Sequence, residues 1–261
     1  WVDVAEWVED NEAWLRRYLV LAHGTPSHDT FGRVFRLLDG KVFEARFRTW
    51  IGGLAGAVAG VVAIDGKTAC GSKDGHNTAL HTISALVTDS GLCLGQEHTR
   101  GKGNEIPAIK ALLDALAGGL REFVADGGSW VNKELREHWP KLAGVGMIER
   151  QRDIKGAVST ERAFYIGSQG VTSAESFAKA ARSHWGIENR LHWVLDVTFR
   201  EDDCRVRKDH APHNFAALRK FALALLRQDK QYPKRSLRSR RKTAERLPDY
   251  RAALLGLSPR R

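Results

Sequence analysis

Three carboxylates far apart in the chain are the side chains best suited to metal-ion chemistry. Asp65 follows the apolar run 58–64, Asp126 follows the run 120–125, and Glu188 lies in a helix-forming segment. Cleavage of a phosphodiester needs an activated water and a stabilised leaving oxygen, and two Mg²⁺ ions about 3.5–4 Å apart can supply both. Carboxylate oxygens are the hard ligands that Mg²⁺ prefers. Two aspartates and one glutamate could hold two ions and leave positions open for a substrate.

The two aspartates depend for their position on a strand-rich segment. Its pattern predicts strand, strand, strand, helix, strand, helix, at 58–64, 78–88, 92–99, 104–116, 120–125 and 129–138. The first three strands can form a meander, and the helix lets the fourth strand return parallel to the first. Asp65 and Asp126 would then lie at neighbouring carboxyl ends of parallel strands, where open α/β sheets place active sites. This is the opening order of an RNase H-like core, a mixed sheet flanked by helices.

Glu188 is expected on a long helix that the capping box Thr172-Ser173-Ala174-Glu175 opens. At 100° per residue, Glu188 falls in the middle of the face that ought to be buried. The apolar positions of that face are Phe177, Ala181, Leu191 and Leu195. A buried carboxylate needs a cation, hydrogen bonds or a metal. The structural alternatives are an ion pair of Glu188 with Arg182 or Arg190, and turn-forming or capping roles for the aspartates.

The remaining pattern divides the chain into three parts. Residues 1–55 should form a helical N-terminal region that could bind DNA, and residues 56–228 the RNase H-like domain. Residues 229–261 form a basic tail, in which we expect 230–246 to be solvated, mobile and in contact with phosphates. The segments 142–152 and 158–167 predict a hairpin. The chain begins with Trp1 rather than Met, so we expect a missing N-terminus.

Composition favours a globular protein with a polyanionic partner. Of 261 residues, 41 are Lys or Arg and 31 are Asp or Glu, which gives a formal net charge of +10. No apolar stretch reaches the ~18 residues of a membrane span. The three cysteines, Cys70, Cys93 and Cys204, have no metal-ligand spacing and are expected to be reduced thiols.

Several strings of residues resemble the ISAs1 family of insertion-sequence transposases. They are Val61–Thr68, His184–Asn189 (HWGIEN), Leu191–Phe199 (LHWVLDVTF), 201–208 and Pro26–Phe31. The resemblance covers nearly the whole chain. It implies a DDE transposase that cuts and transfers DNA strands, with Asp65, Asp126 and Glu188 as catalytic acids and ligands of Mg²⁺ or Mn²⁺, two ions in all. Glu201 is the alternative third acid if the helix register is wrong.

The same resemblance implies further residues and partners. Candidates for a place near the metals or the DNA backbone are Lys67, His184, Asn189, Arg205, Arg207 and Lys208. Each of them could equally be structural. The partners would be double-stranded DNA at the element ends and the target, and possibly a second copy of the chain. The location would be the bacterial cytoplasm, at the nucleoid and without a membrane.

One departure from the family pattern concerns the middle of the chain. Asp126 and Glu188 are closer in sequence than the resemblance implies, so we expect an internal deletion near 130–142 that removes a core strand. Residues 142–153 could partly substitute for that strand. Three alternatives to an active transposase follow: a decayed copy that only binds DNA, an RNase H-like nuclease with another role, and a structural protein. Metal-dependent nicking, strand-transfer products and salt-sensitive DNA binding separate these alternatives.

Overall fold

The computed structural model describes residues 1–55, 62–73, 78–99, 107–109, 111–112, 144–154, 157–167 and 174–259. These residues form a mixed α/β structure with a three-stranded antiparallel sheet, a separate two-stranded hairpin and helices from both ends of the chain. Asp126, the strand expected before it, the helix expected after it and the core of the expected deletion all lie outside these residues. The predictions for that segment therefore stay predictions.

The N-terminal region is helical, as its apolar spacing predicts. Its helices are α1 (Val2–Asp10), α2 (Glu12–Leu15), α3 (His28–Leu37) and α4 (Gly40–Ala55). The backbone N–H of Thr30 donates to Oγ of Ser27 at 3.4 Å, so Ser27 caps the start of α3. Trp1 contacts the rings of Phe35 and Phe215, which joins the start of the chain to a helix near its other end.

The central sheet is the expected meander of three strands. β1 (Val62–Ala69), β2 (Leu80–Val87) and β3 (Cys93–Thr99) pair antiparallel in the order β1-β2-β3. The turn after β2 uses Gly91 at φ 72°, a conformation that glycine adopts without strain. Strand β1 continues past the expected end at Asp65, because pairing with β2 runs on to Ala69↔Leu80. Asp65 therefore lies in the middle of the strand, not at its carboxyl end.

Alternation along the strands gives the sheet two buried faces. Ile83, Ala85 and Val87 of β2 pack on one face with Phe47 and Ile51 of α4. Ala63 of β1 and Leu86 of β2 face the other way, against Ile187, Leu191 and Leu195. Asp65 and Lys67 follow Ala63 at intervals of two residues along β1. Both side chains therefore lie on the face of the sheet that the helical segment with Ile187, Leu191 and Leu195 covers.

The covering segment is broken where a single long helix was expected. Helix α5 (Ala174–His184) is followed by a π-helical turn (Glu188–His192) and a short helix α6 (Trp193–Val197). A π-helical turn holds more residues than an α-helical turn, so the buried stripe changes phase there. The buried apolar positions from the end of α5 onward are Ile187, Leu191, Val194 and Leu195, and His192 is buried beside them. Glu188 lies at the edge of this stripe with 49% of its side chain exposed, so the expected burial of Glu188 was wrong.

The remaining elements are a hairpin and three C-terminal helices. Strands β4 (Gly144–Ile154) and β5 (Ala157–Gly167) pair with each other in a two-stranded sheet, as predicted. Helix α7 (Ala211–Gln228) packs on α3, α4 and β3. Residues 230–246 were expected to be mobile, but α8 (Leu237–Arg246) and α9 (Pro248–Leu254) include most of that segment and continue beyond it. Among the described residues, no helix has both the length and the apolar character that crossing a bilayer requires.

Candidate metal centre

Asp65 and Glu188 meet across the interface between β1 and the π-helical turn. One ligand atom from each of Asp65, Glu188 and His192 can be chosen so that all three lie within 4.8 Å of one another. The Nδ1 atom of His192 is 3.4 Å from Oε2 of Glu188 and 3.8 Å from Oδ2 of Asp65. His192 follows Glu188 by four residues, so both point from one side of the helical segment toward the strand. Two of the three expected acids are therefore brought together.

The three side chains differ in their contact with solvent. The side chains of Glu188 and Asp65 are 49% and 34% exposed, whereas that of His192 is 6% exposed. Burial lowers the pKa of His192 to about 4, and the charges of Lys220 and Lys67 lower it too, against the opposite effect of Asp65 and Asp196. The imidazole is therefore neutral near pH 7 and keeps a nitrogen lone pair for a ligand bond.

The donor set fits a divalent metal ion. Ligand atoms around one ion with bonds of about 2.1 Å lie roughly 3–4 Å apart, close to the separations found here. The two carboxylates match Mg²⁺ or Mn²⁺, and the imidazole nitrogen extends the set toward transition metals. Part of each acidic side chain is open to solvent, which leaves room for water or a phosphate oxygen. The arrangement can hold a hard cation at the surface of the molecule.

The alternative ion pairs for Glu188 are not found among the described residues. Arg190 instead donates to the backbone carbonyls of Thr88 and Asp89, at the turn after β2. Arg227 donates to the carbonyls of Gly91 and Arg190, so both guanidinium groups hold this turn to the helical segment. These contacts fix the π-helical turn against the sheet and leave Glu188 facing Asp65.

Lys67, two residues after Asp65 in β1, forms a second charged group together with three acids. Its Nζ lies 2.8 Å from Oδ1 of Asp196, 2.9 Å from Oδ1 of Asp202 and 3.7 Å from Oε2 of Glu201. Burial disfavours its charge, but the hydrogen bonds to Asp196 and Asp202 and the charges of Glu201 and Asp196 together outweigh burial and raise the pKa of Lys67. Lys67 thus joins β1 to the end of α6 and to the segment that follows. Glu201, the alternative third acid, is buried against Lys67 and is not part of the Asp65 group.

A close backbone approach holds the same segment beside β1. The turn Cys70–Ser72 follows β1, and a Cβ on Gly71 would lie 2.4 Å from the carbonyl oxygens of Asp202 and Cys204. No side chain fits there, so this position requires glycine. The Nε of Arg207 donates to the Gly71 carbonyl at 3.0 Å. The loop that carries Glu201 and Asp202 is therefore anchored at both Lys67 and Gly71.

The other candidate residues differ in their exposure to solvent. Arg205, Lys208 and Asn189 are exposed, His184 is partly buried at the end of α5, and Arg207 is committed to the Gly71 carbonyl. Sequence reasoning missed His192 as a possible ligand. The spacing of four residues between Glu188 and His192 was the available signal, because such residues share one side of a helix.

Two family models match this chain. The family described as "Transposase DDE domain" matches residues 30–225, and the family "DDE_Tnp_1-associated" matches residues 1–51. The chain belongs to the DDE transposase family. No solved structure matches this transposase.

Two curated relatives match nearly all of this transposase, and a third matches three quarters of it. The "H repeat-associated putative transposase YhhI" of Escherichia coli K12 is 29% identical over 332 residues, covering 98% of this chain and 87% of its own length. The "Putative transposase YncI" of E. coli O157:H7 is 29% identical, covering 94% of this chain and 82% of its own length. An "Uncharacterized protein in dhlA 3'region" of Xanthobacter autotrophicus is 34% identical over 203 residues, which is 75% of this chain and 67% of its own length.

The length of the YhhI match bears on the expected deletion. The match extends over 332 residues, whereas this transposase has 261 residues in all. The matched part of YhhI therefore contains residues without a counterpart here. The expected deletion near 130–142 stays a prediction.

Proposed function

We propose that this chain is an insertion-sequence transposase of the ISAs1 type that cuts DNA at the ends of a mobile element and transfers the cut strands. Asp65, Glu188 and Asp126 are the proposed catalytic acids and metal ligands, and His192 is a further ligand. The observation that carries the proposal is the approach of Asp65, Glu188 and His192 to within 4.8 Å across two distant parts of the chain. We further propose that the sheet β1–β3 is the start of an RNase H-like core.

The metal site would act on a phosphodiester. When bound, Mg²⁺ or Mn²⁺, as one ion or a pair, would lower the pKa of an attacking water and stabilise the leaving oxygen. Asp65 and Glu188 supply charged oxygen ligands from opposite sides of the site, and neutral His192 supplies a nitrogen without adding positive charge. The solvent-open side of Glu188 leaves space for the DNA backbone to approach.

Surface charge supports DNA as the substrate. The net charge is +10, and the exposed Arg205 and Lys208 follow the loop that is anchored beside the site. Cations placed there can neutralise phosphates and would make binding depend steeply on salt. We propose Arg205, Lys208 and Asn189 as DNA contacts, Lys67 and Arg207 as supports of the loop, and His184 as a neighbour of the site. Acting on two element ends favours a homodimer.

A second candidate function is DNA binding without cleavage. The observation that favours it is the excess length of the matched part of YhhI, since a lost core strand would loosen the platform that aims Glu188. A displacement of about 1 Å can cost roughly 100-fold in rate. Such a remnant would keep the basic surface and lose the chemistry.

Cleavage of labelled element-end DNA with Mg²⁺ or Mn²⁺ tests the proposal. We expect metal-dependent nicking by the purified chain, and a loss of at least about 100-fold in the variant Glu188→Gln. Glu175→Gln, which changes an exposed acid in the first turn of α5, is the matched control and should cleave normally. Equal nicking by Glu188→Gln would refute the site. Salt-sensitive binding without any nicking would support the remnant instead.

A further inference from the structure

Helix α8 presents a row of exposed cations along one side. Arg238, Lys242 and Arg246 follow one another at intervals of four residues, so their side chains share that side of the helix. All three residues are exposed to solvent. Within the described part of the chain, none of the three side chains forms an ion pair or a hydrogen bond. Glu245, the one acid in the helix, is not paired with them either.

The spacing of these cations is electrostatically unfavourable for an isolated helix. Like charges four residues apart on a helix surface repel and destabilise the helix. Arg238 and Lys242 form one such pair, and Lys242 and Arg246 form the next. A surface that carries this repulsion without acids of its own has an electrostatic reason to bind a polyanion.

The opposite side of α8 is held against the rest of the chain. Thr243 on that side is buried. Arg240 donates to the carbonyls of Leu226 and Tyr232 at 2.8 Å and 3.1 Å, and its Nε lies 3.6 Å from Oδ2 of Asp229. A helix as short as α8 is marginal by itself in water, so these contacts fix its position. They also fix which side of the helix carries the exposed cations.

Helix α8 begins beside the core on which the candidate metal centre rests. Leu237, the first residue of the helix, packs against the cluster that contains Ile187 and Leu191. These two apolar residues directly precede Glu188 and His192 in sequence. A helix of ten residues is about 15 Å long. A long polyanion bound at the metal centre therefore has only a short distance to cover before it meets the row of cations.

The chemistry of the exposed side fits the phosphate backbone of a nucleic acid. Protein interfaces usually contain a buried aromatic or other apolar anchor, and a membrane-binding helix turns an apolar face toward the lipid. The exposed residues of α8 are Arg238, Lys242, Glu245 and Arg246, whereas its apolar Leu237 packs on the core. Lysines and arginines without an apolar anchor are typical of contacts with phosphate oxygens.

We propose that α8 is a binding surface for double-stranded DNA, in which Arg238, Lys242 and Arg246 contact the phosphate backbone without reading the base sequence. The inference deepens the proposed function and rests on it, because the DNA would be the duplex that continues from the metal centre. The surface would hold that duplex in place while the chemistry occurs elsewhere.

Binding of a short DNA duplex of unrelated sequence, in EDTA and over a series of salt concentrations, tests the surface without metal or cleavage. In the double variant Arg238→Gln/Lys242→Gln, we expect the plot of log affinity against log salt concentration to become shallower by about 2, since each lost phosphate contact contributes about 0.9. Affinity at about 0.1 M salt should fall roughly 10–100-fold. The double variant should unfold no earlier than the wild type, because it removes repulsion.

Two control variants separate the surface from net charge. Arg238→Lys/Lys242→Arg keeps both charges and should keep the salt dependence of the wild type. Arg16→Gln/Arg17→Gln removes two charges that already lie 2.7 Å and 3.9 Å from acids, and it should bind DNA like the wild type. An equal change in both glutamine variants would show an effect of total charge and overturn the inference.

A cleavage assay distinguishes a failure of this inference from a failure of the proposed function. With saturating element-end DNA, Arg238→Gln/Lys242→Gln should nick at the rate of the wild type and need only a higher DNA concentration to reach it. Absence of nicking in every variant would refute the proposed function and leave the binding result standing. An unchanged salt dependence in the double variant would overturn the surface. Tighter binding of double-stranded RNA or of polyglutamate than of the DNA duplex would overturn the choice of DNA as its partner.

Discussion

Strand β1 presents two charged side chains, Asp65 and Lys67, to the same helical segment. The two side chains differ in the balance of charge around them. Around Lys67, three carboxylates meet one ammonium. Around Asp65, a second carboxylate and a neutral imidazole meet with no lysine or arginine paired to them among the described residues. A group of acids that contains its own cation can be explained by structure alone. A group of acids without one has an electrostatic reason to take a cation from solution.

The largest expected effect on folding concerns the Lys67 group. Lys67→Met keeps the length of the buried stem but leaves Asp196, Glu201 and Asp202 without their shared cation. We expect the free energy of unfolding to fall by about 2–4 kcal/mol, below the cost for a fully buried pair, because Asp196 and Asp202 are partly exposed. Denaturant unfolding measures this loss.

The matched comparison is Glu188→Gln in the same assay. This change removes one of two neighbouring carboxylates and no cation, so we expect stability equal to or slightly above that of the wild type. If Glu188→Gln destabilised the fold as strongly as Lys67→Met, both groups would be structural. The distinction between them would then fail.

Glu44, an acid outside both groups, sharpens the comparison. Its partners only partly offset the effect of burial on its pKa. The backbone N–H of Gln96 donates to Oε1 of Glu44 at 2.9 Å, and the charges of Lys220 and Arg48 favour ionisation. Burial nevertheless dominates and raises the pKa of Glu44 from 4.5 to about 7, with a smaller contribution from Glu97. Glu44 therefore has weaker contacts with cations than the acids around Lys67, and it is far more buried than Asp65 and Glu188.

The expected consequence is a stability that falls as pH rises from about 4.5 to about 7. In that range the folded chain holds a proton on Glu44 that the unfolded chain has lost, so each step up in pH favours unfolding. Glu44→Gln should remove this contribution, which is on the order of 2–3 kcal/mol by the pH 7 end. Unfolding free energies at pH 5 and pH 8, wild type against variant, measure it.

Glu97→Gln is the control for this prediction. Glu97 and Glu44 both lie near Arg48. Oε1 of Glu97 is 3.6 Å from Nη1 of Arg48, but the side chain of Glu97 is 30% exposed. We expect its variant to keep most of the pH dependence of the wild type, because burial of Glu44 is the larger cause of the raised pKa and Glu97 only a small one. A pH profile of Glu44→Gln that matches the wild type would show that Glu44 ionises freely in the folded chain.

The sequence predicted most of the sheet and part of the site. Short runs of apolar and β-prone residues between turn signals located β2, β3 and the β4–β5 hairpin, and they located the first residues of β1. It also named Asp65 and Glu188 correctly as neighbours. It missed the exposure of Glu188, because a constant 100° per residue assumes one unbroken α-helix, whereas here the helix is interrupted after His184 and again by the π-helical turn.

The C-terminal helices show a different limit of sequence reasoning. Residues 230–246 are rich in Lys and Arg, which usually indicates a solvated segment. In the structure, Arg251 donates to Asn11 and stacks over Trp7 and Trp14, while Tyr250 donates to Asp229 at 2.8 Å. Arg251 follows the basic segment, and its partners Asn11, Trp7 and Trp14 are far from it in sequence. Composition could therefore not reveal that the end of the chain folds back onto the N-terminal helices.

The smallest expected effect is the most direct test of the contrast between the Asp65 and Lys67 groups. A cation that binds the folded chain alone raises the free energy of unfolding by about 1.4 kcal/mol when its concentration is tenfold above the dissociation constant. We expect this increase with Mg²⁺ or Mn²⁺ in the wild type and in Asp202→Asn. The substitution leaves the Asp65 group intact, because Asp202 pairs with Lys67. Glu188→Gln should lose it, because one charged ligand is gone. A metal effect that vanished in Asp202→Asn and survived in Glu188→Gln would place the cation at the Lys67 group, where the protein's own ammonium already lies.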